Sequence, residues 1–254
     1  MATEQDRLFL SDGSDACRID LTGVVRYLVS RDAVQVDQIG DIALEDAHRL
    51  QRGAPLAAQL LLRGIAPLHA AAVRTDAGAV LIAGRSASGK STMAALMAQR
   101  GHGVLSEDLT GLELQAGQAV VVPGYAGVTL WRDVMVRLGY AVDAYQPVHP
   151  ELDKYVVTPA APCTDRPVPV RAIFVLTVRN DPAMTIGSIT GMEKFQIIGH
   201  NTYNTRLTDA LVSRDAFFAL STALAASVPV WQIRRPRGVW TAEQIADRVE
   251  SLLG

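Results

Sequence analysis

Gly84-Arg85-Ser86-Ala87-Ser88-Gly89-Lys90-Ser91-Thr92 fits the pattern G-x-x-x-x-G-K-[ST] at every defined position. The flanks agree with it. Ala79-Val80-Leu81-Ile82-Ala83 is a short apolar run of strand type, and Met93-Ala94-Ala95-Leu96-Met97-Ala98 is rich in strong helix formers. Glycines let such a loop turn successive N–H groups inward, and the helix that follows adds its unpaired N–H groups and positive dipole end. The result is a cup for polyphosphate. All nine residues, from Gly84 to Thr92, are therefore candidate nucleotide-binding positions. Lys90 would reach the β/γ-phosphates, and Ser91 would supply a hydroxyl to Mg²⁺. A glycine turn that binds nothing is the competing reading, and the order strand, loop, helix weighs against it.

The chain around this stretch has the composition of a globular protein. It holds 254 residues, of which 49% are hydrophobic, enough for a sizeable core. With 24 basic and 26 acidic residues the formal net charge is -2, so no global field recruits nucleic acid or an anionic membrane. Cys17 and Cys163 are far apart and show no metal-type spacing, which suits reduced thiols and a cytoplasmic protein. The residues from Met1 to Asp6 lack a basic segment leading into an apolar one, and no uninterrupted apolar run approaches the ~20 residues of a membrane span.

Patterning predicts the order of elements. Arg7–Leu10, Arg18–Leu21 and Val24–Val29, separated by Ser11–Asp15 and Thr22-Gly23, read as a small antiparallel sheet. Leu44–Arg52 and Leu56–Arg63 read as helices stopped by Gly53 and Gly64. A division near Gly64–Pro67 sets a small N-terminal β/α region, 1–64, apart from a larger domain, 65–254. Leu68–Thr75 and Ala79–Ala83 form a hairpin around Asp76-Ala77-Gly78, so an antiparallel pair leads into the glycine-rich loop and the sheet is mixed.

Further on, Val104-Leu105 is a short strand, Leu112–Gln115 and Gln118–Pro123 a hairpin, Trp131–Leu138 a helix and Gln146–Pro150 a loop. Ala172–Val178 reads as a buried strand, with Met184–Ile189 as its partner across Asn180-Asp181-Pro182. Leu207–Ala226 reads as one long helix with an apolar stripe that includes Leu207, Phe217, Phe218 and Leu224. Val228–Ile233 is the last strand, and Thr241 with Gln244 resembles a capping box for the last helix.

Phosphoryl transfer needs a base near the acceptor hydroxyl and cations for the transferred group. Glu107 and Asp108 follow the Val104-Leu105 strand. Adjacent carboxylates on an extended segment point to opposite sides, so one could face a metal and the other a substrate; a solvated turn is the alternative. His69 opens an apolar strand, where a satisfied core histidine is the ordinary outcome. Arg234-Arg235-Pro236-Arg237 reads as a solvated end after an edge strand, and Trp231 and Trp240 as packing residues. His200–Arg206 is polar enough to line an acceptor site.

Leu68-His69-Ala70-Ala71-Ala72-Val73, Gly84–Thr92 and Gly101-His102-Gly103-Val104-Leu105-Ser106-Glu107-Asp108 together resemble the HPr kinase family, P-loop serine kinases with a phosphoenolpyruvate-carboxykinase-like mixed-sheet core. His69 to Lys90 is 90−69 = 21 positions and Lys90 to Asp108 is 108−90 = 18. The resemblance covers about Leu68–Asp108. It implies an α/β P-loop kinase fold with a small N-terminal extension, ATP and Mg²⁺ as cofactors, Asp108 as general base and His69 assisting near the γ-phosphate. Glu107 stands where the family has the first aspartate of its pair, a metal-facing position.

This chain lacks the family's glutamate-arginine-glycine signature, to which Arg132-Asp133 is the nearest counterpart, with Asp133 a weak metal candidate. It also lacks the Pro-Gly-Arg-Asn-like segment linked to phosphorolysis. Pro123-Gly124-Tyr125, Leu130-Trp131 and Leu152-Asp153-Lys154 resemble a compact subgroup, some of whose members phosphorylate the C-terminal serine of a lasso-peptide precursor, and nominate Lys154 as a cation near the transferred phosphoryl.

The resemblance implies a serine hydroxyl on a peptide or small protein as acceptor, while the near-neutral charge predicts neither nucleic acid nor membrane as partner. The family's bifunctional members form hexamers, so a homo-oligomer is compatible with the resemblance. Phosphorylation or phosphorolysis of HPr, a small-molecule hydroxyl kinase and a non-catalytic nucleotide-binding regulator are the alternatives.

Overall fold

The computed structural model describes residues 7–10, 16–21, 23–40, 42–149, 152–160, 165–211 and 214–254. The expected turn at Ser11–Asp15, Thr22 and the second cysteine, Cys163, lie outside them. The chain divides into two compact units, Met1–Pro67 with Thr202–Ala219 and Leu68–Asn201 with Leu220–Gly254. Thr202–Ala219, expected within the 65–254 domain, thus belongs with the N-terminal unit.

The first unit contains β1 (Arg7–Leu10), β2 (Ala16–Leu21), β3 (Val25–Ser30), β4 (Val34–Ile39), α1 (Leu44–Leu50) and α2 (Ala54–Leu62). Its strands form a four-stranded antiparallel sheet in sequence order, one strand more than the three expected runs. Alternation sets its buried face, with Cys17 and Ile19 on β2 and Val25, Tyr27 and Val29 on β3 turned inward. The Tyr27 hydroxyl donates to the Ala47 carbonyl of α1, and burial pushes the Cys17 thiol up to about 11, so it stays protonated and inert.

A short strand β5 (Ala66–Leu68) precedes the second unit's β6 (Ala70–Thr75), β7 (Gly78–Gly84), α3 (Lys90–Gln99), β8 (Gly103–Ser106), β9 (Thr110–Gln115) and β10 (Gln118–Val122). Next come β11 (Val128–Trp131), α4 (Arg132–Arg137), β12 (Pro147–His149), β13 (Leu152–Val157), β14 (Val168–Arg179), β15 (Thr185–Ile189) and α5 (Met192–His200). The rest is α6 (Thr205–Leu211, first unit), α7 (Arg214–Ser227), β16 (Val230–Pro236) and α8 (Ala242–Ser251).

The mixed sheet expected from the hairpin is present. Its central order is β8-β6-β7-β14-β16-β15, with β7, β14 and β16 parallel and the outer pairings antiparallel. Strands buried on both faces read as unbroken apolar runs, and Ala79 to Ala83 and Ala172 to Leu176 are all buried. On one face α3 and α8 pack Met93, Met97, Ile245 and Val249 against Val80, Ile82, Phe174 and Ile233. The hairpin β9–β10 joins the sheet at the start of β14, and β11, β13 and β12 form a separate three-stranded antiparallel sheet.

Several local expectations are corrected. Residues Leu68–Thr75 are not one strand: the run breaks at His69, whose N–H donates to the Asn201 carbonyl at 2.7 Å. The partner of Thr185–Ile189 is β16, which inserts between it and β14. Pro147–His149, expected in a loop, is a bulged strand that begins at its proline, a position that needs no ladder N–H. The expected long helix is described as α6 and α7 on either side of Val212-Ser213, which lie outside the described residues, and Phe218 is 60% exposed rather than part of an apolar stripe. Thr241 precedes α8 but makes no capping bond, and its hydroxyl is buried without a partner.

Candidate functional site

The glycine-rich loop leaves β7 at Gly84 and enters α3 at Lys90. Gly84 has φ +138° because the neighbouring strand leaves no room for a side chain: a Cβ there would sit 2.5 Å from the Leu176 carbonyl and 2.8 Å from Ser88 Oγ. Gly89, at φ +108°, turns the chain into the helix. Ala87 holds φ +63°, a left-handed conformation that costs an L-residue about 1–2 kcal/mol and marks stored strain in the loop.

Lys90 points back into this loop. Its Nζ donates to the carbonyls of Gly84 at 2.9 Å and Arg85 at 3.4 Å and lies 2.6 Å from His69 Nε2. The side chain is buried, and among the described residues no carboxylate lies within ion-pair distance of it. Burial lowers the Lys90 pKa, opposed by the fields of Asp108 and Glu107. Burial, and then the charge on Lys90, lower that of His69, with Asp108 opposing. The neutral imidazole accepts from the Lys90 ammonium.

The expected carboxylates arrive from β8, which is separated from β7 by β6 rather than lying beside it. A chain of buried hydroxyls fixes their turn: Ser106 Oγ donates to Thr110 Oγ1, which donates to the Ala70 carbonyl, each at 2.7 Å. Glu107 turns inward and accepts a hydrogen bond from Ser91 Oγ. Burial raises its pKa; the Ser91 bond and the charges of Lys154 and Lys90 oppose that, while Asp108 adds to it. Asp108 turns the other way, with 57% of its side chain exposed and Oδ1 3.5 Å from His69 Nε2. The opposed directions expected of adjacent carboxylates are realised, and the solvated-turn alternative does not describe Glu107.

Lys154, paired across the ladder with Trp131, places its Nζ 4.6 Å from the centre of the Trp131 ring. Its charge acts on Glu107 and opposes the rise in that carboxyl's pKa. Asp133 lies instead in a groove of about 430 Å³ lined by Trp131, Arg132, Asp133, Val136, Arg137 and Asp153.

Two residues that the sequence reading left without a role hold the site. Asn201 accepts from the His69 N–H through its carbonyl and from the Gly84 N–H through Oδ1 at 3.1 Å, so it ties the histidine to the start of the loop. Arg235, expected on a solvated end, comes from a strand that is not an edge and donates from Nε to the Ser88 carbonyl at 2.8 Å. Nothing local in Arg234-Arg235-Pro236-Arg237 signals this; the signal is the parallel register that sets Val178 beside Arg235, two positions past Leu176 beside Gly84.

Ser91 and Glu107 are hard oxygen donors of the type that binds Mg²⁺ together with waters and substrate oxygens. Among the described residues no group of three or more His, Cys, Asp or Glu forms an all-protein metal cage. No described helix is long and apolar enough to cross a membrane.

No family model and no curated protein matches the sequence. Among solved structures, the HPr(Ser) kinase/phosphatase from Coxiella burnetii is similar at 16% identity over 74% of this chain and 93% of that one, with a TM-score of 0.35.

Proposed function

We propose that the chain is an ATP- and Mg²⁺-dependent kinase that transfers the γ-phosphoryl group to a serine hydroxyl on a peptide or small protein. The observation that carries this reading is the pairing of a buried, carboxylate-free Lys90 inside the glycine-rich loop with an exposed Asp108 whose Oδ1 lies 3.5 Å from the same His69 nitrogen that Lys90 approaches. A binding module has use for the first and none for the second. The resemblance of Leu68–Asp108 to the HPr kinase family points the same way.

In this reading the loop N–H groups, the α3 N-terminus and Lys90 hold the phosphates. Asp108 accepts the proton of the acceptor hydroxyl, whose oxygen forms the new bond to the γ-phosphorus as the bond to the bridging oxygen breaks and ADP leaves. His69 accepts from the Lys90 ammonium and assists near the γ-phosphate, and Lys154 adds a cation beside the transferred group. Mg²⁺, when bound, neutralises phosphate charge, and Ser91 and Glu107 would hold it. The C-terminal serine of a lasso-peptide precursor fits the acceptor class implied by the subgroup resemblance.

Incubation with γ-labelled ATP, Mg²⁺ and a panel of serine-ended peptides, HPr and free serine tests the proposal. Label on a peptide or protein, lost with Asp108→Asn, is expected. Label on free serine alone would overturn the acceptor class, and label that persists in Asp108→Asn would overturn the mechanism.

A further inference from the structure

The phosphate end of the loop has a second cation. Arg235 emerges from β16, one position before its last residue, and its guanidinium lies alongside the loop and the start of α3: Nε donates to the Ser88 carbonyl, and Nε and Nη2 are 3.7 and 3.8 Å from where a Gly89 Cβ would stand. The side chain is half-buried. Burial and the neighbouring Arg237 lower its pKa, so it sits where positive charge is disfavoured. No carboxylate among the described residues is within ion-pair distance of Arg235, nor of Arg85, Arg179, Arg234 or Arg237, which share this end of the parallel strands. Beneath the loop, Ser88 Oγ is buried without a hydrogen-bond partner.

An arginine that spends one donor on a loop carbonyl, meets no anion from the protein and lies beside a helix N-terminus is arranged for an anion brought by a ligand. We infer that Arg235 is a polyphosphate-binding residue: Nε holds the Ser88 carbonyl in place, and the Nη groups contact a phosphate oxygen of the nucleotide. This rests on the loop binding a nucleotide, as proposed above, and assigns the contact to a residue outside the motif. Because guanidinium geometry serves both bonds at once, lysine is not an adequate replacement.

The test is calorimetric titration of the full chain with a non-hydrolysable ATP analogue, with inorganic tripolyphosphate and with adenosine, each with Mg²⁺, for wild type, Arg235→Gln, Arg235→Lys and Arg171→Gln, an exposed control at the opposite end of β14. Losing one charge-assisted contact weakens the two phosphate ligands about ten- to a hundredfold in both Arg235 variants, and leaves adenosine and the control within about twofold. Melting curves taken in parallel identify any variant that fails to fold, in which case the other Arg235 variant decides. Wild-type affinity in Arg235→Gln would overturn the inference, as would equal weakening of adenosine. Full affinity in Arg235→Lys would overturn the two-bond geometry. A wild type that binds neither phosphate ligand would overturn the reading of the loop as well.

Discussion

Replacing Gly84 by alanine tests the loop's geometry more sharply than removing a charged group, because the cost can be divided into two parts. At φ +138° an alanine is strained, which costs about 1–3 kcal/mol. Its Cβ also meets the Leu176 carbonyl at 2.5 Å, a backbone atom of the parallel partner strand that cannot swing away, and overpacking of that kind adds about 1–3 kcal/mol. Gly89→Ala carries the first cost without the second: φ is +108° and the nearest atoms, on the flexible Arg235 side chain, are at 3.7 and 3.8 Å. Gly84→Ala is therefore expected to destabilise by about 2–6 kcal/mol, and by about 1–3 kcal/mol more than Gly89→Ala. Urea unfolding followed by tryptophan fluorescence reads the right part of the molecule, since Trp131, Trp231 and Trp240 all lie in the second unit. Equal destabilisation by the two substitutions would refute the clash with β14.

Asp108→Asn is expected to cut transfer about 10²–10⁴-fold while leaving nucleotide affinity unchanged and stability within about 0.5 kcal/mol, because the carboxylate is mostly exposed; single-turnover kinetics beside a binding titration checks this, and unchanged turnover removes the base. Ala87→Gly relieves a left-handed alanine and, after the entropy cost of glycine, is expected to stabilise by about 0.5–1 kcal/mol in the same urea experiment; destabilisation would argue against that conformation. The folded His69 titrates below its ordinary 6.5, so as the pH falls below 6.5 the unfolded chain takes up a proton that the folded site resists and stability declines. His69→Gln is expected to lose that part of the pH dependence, which unfolding curves between pH 5 and 7 measure; an unchanged slope would place the charge elsewhere.

The parts of the site legible in the sequence are those in which local chemistry and local geometry coincide. Gly84 to Ser91 declared strand, loop and helix together, since a glycine at a crowded left-handed position and a lysine at the helix start have few other uses. Glu107 and Asp108 could be assigned to opposite sides from strand pleating alone. The parts that were not legible depend on contacts between distant segments. Arg235 looks like a solvated charge until β16 inserts between β14 and β15, and the turn at Asn180-Asp181-Pro182 suggested a hairpin because a later strand's insertion leaves no local mark. Asn201 is one polar residue among several, and its role comes from two N–H groups more than a hundred positions away in the chain (201−84 = 117). Thr241 has the right spacing for a capping box but not the backbone angles, with φ -131° and ψ 14°.

The most direct test of the account is a calorimetric titration of the purified chain with ATP and Mg²⁺, beside Lys90→Met. Saturable one-to-one binding that Lys90→Met abolishes, in a variant that still melts cooperatively, is the expected result. Failure of the wild type to bind either ATP or GTP at millimolar concentration, or undiminished binding by Lys90→Met, would contradict it.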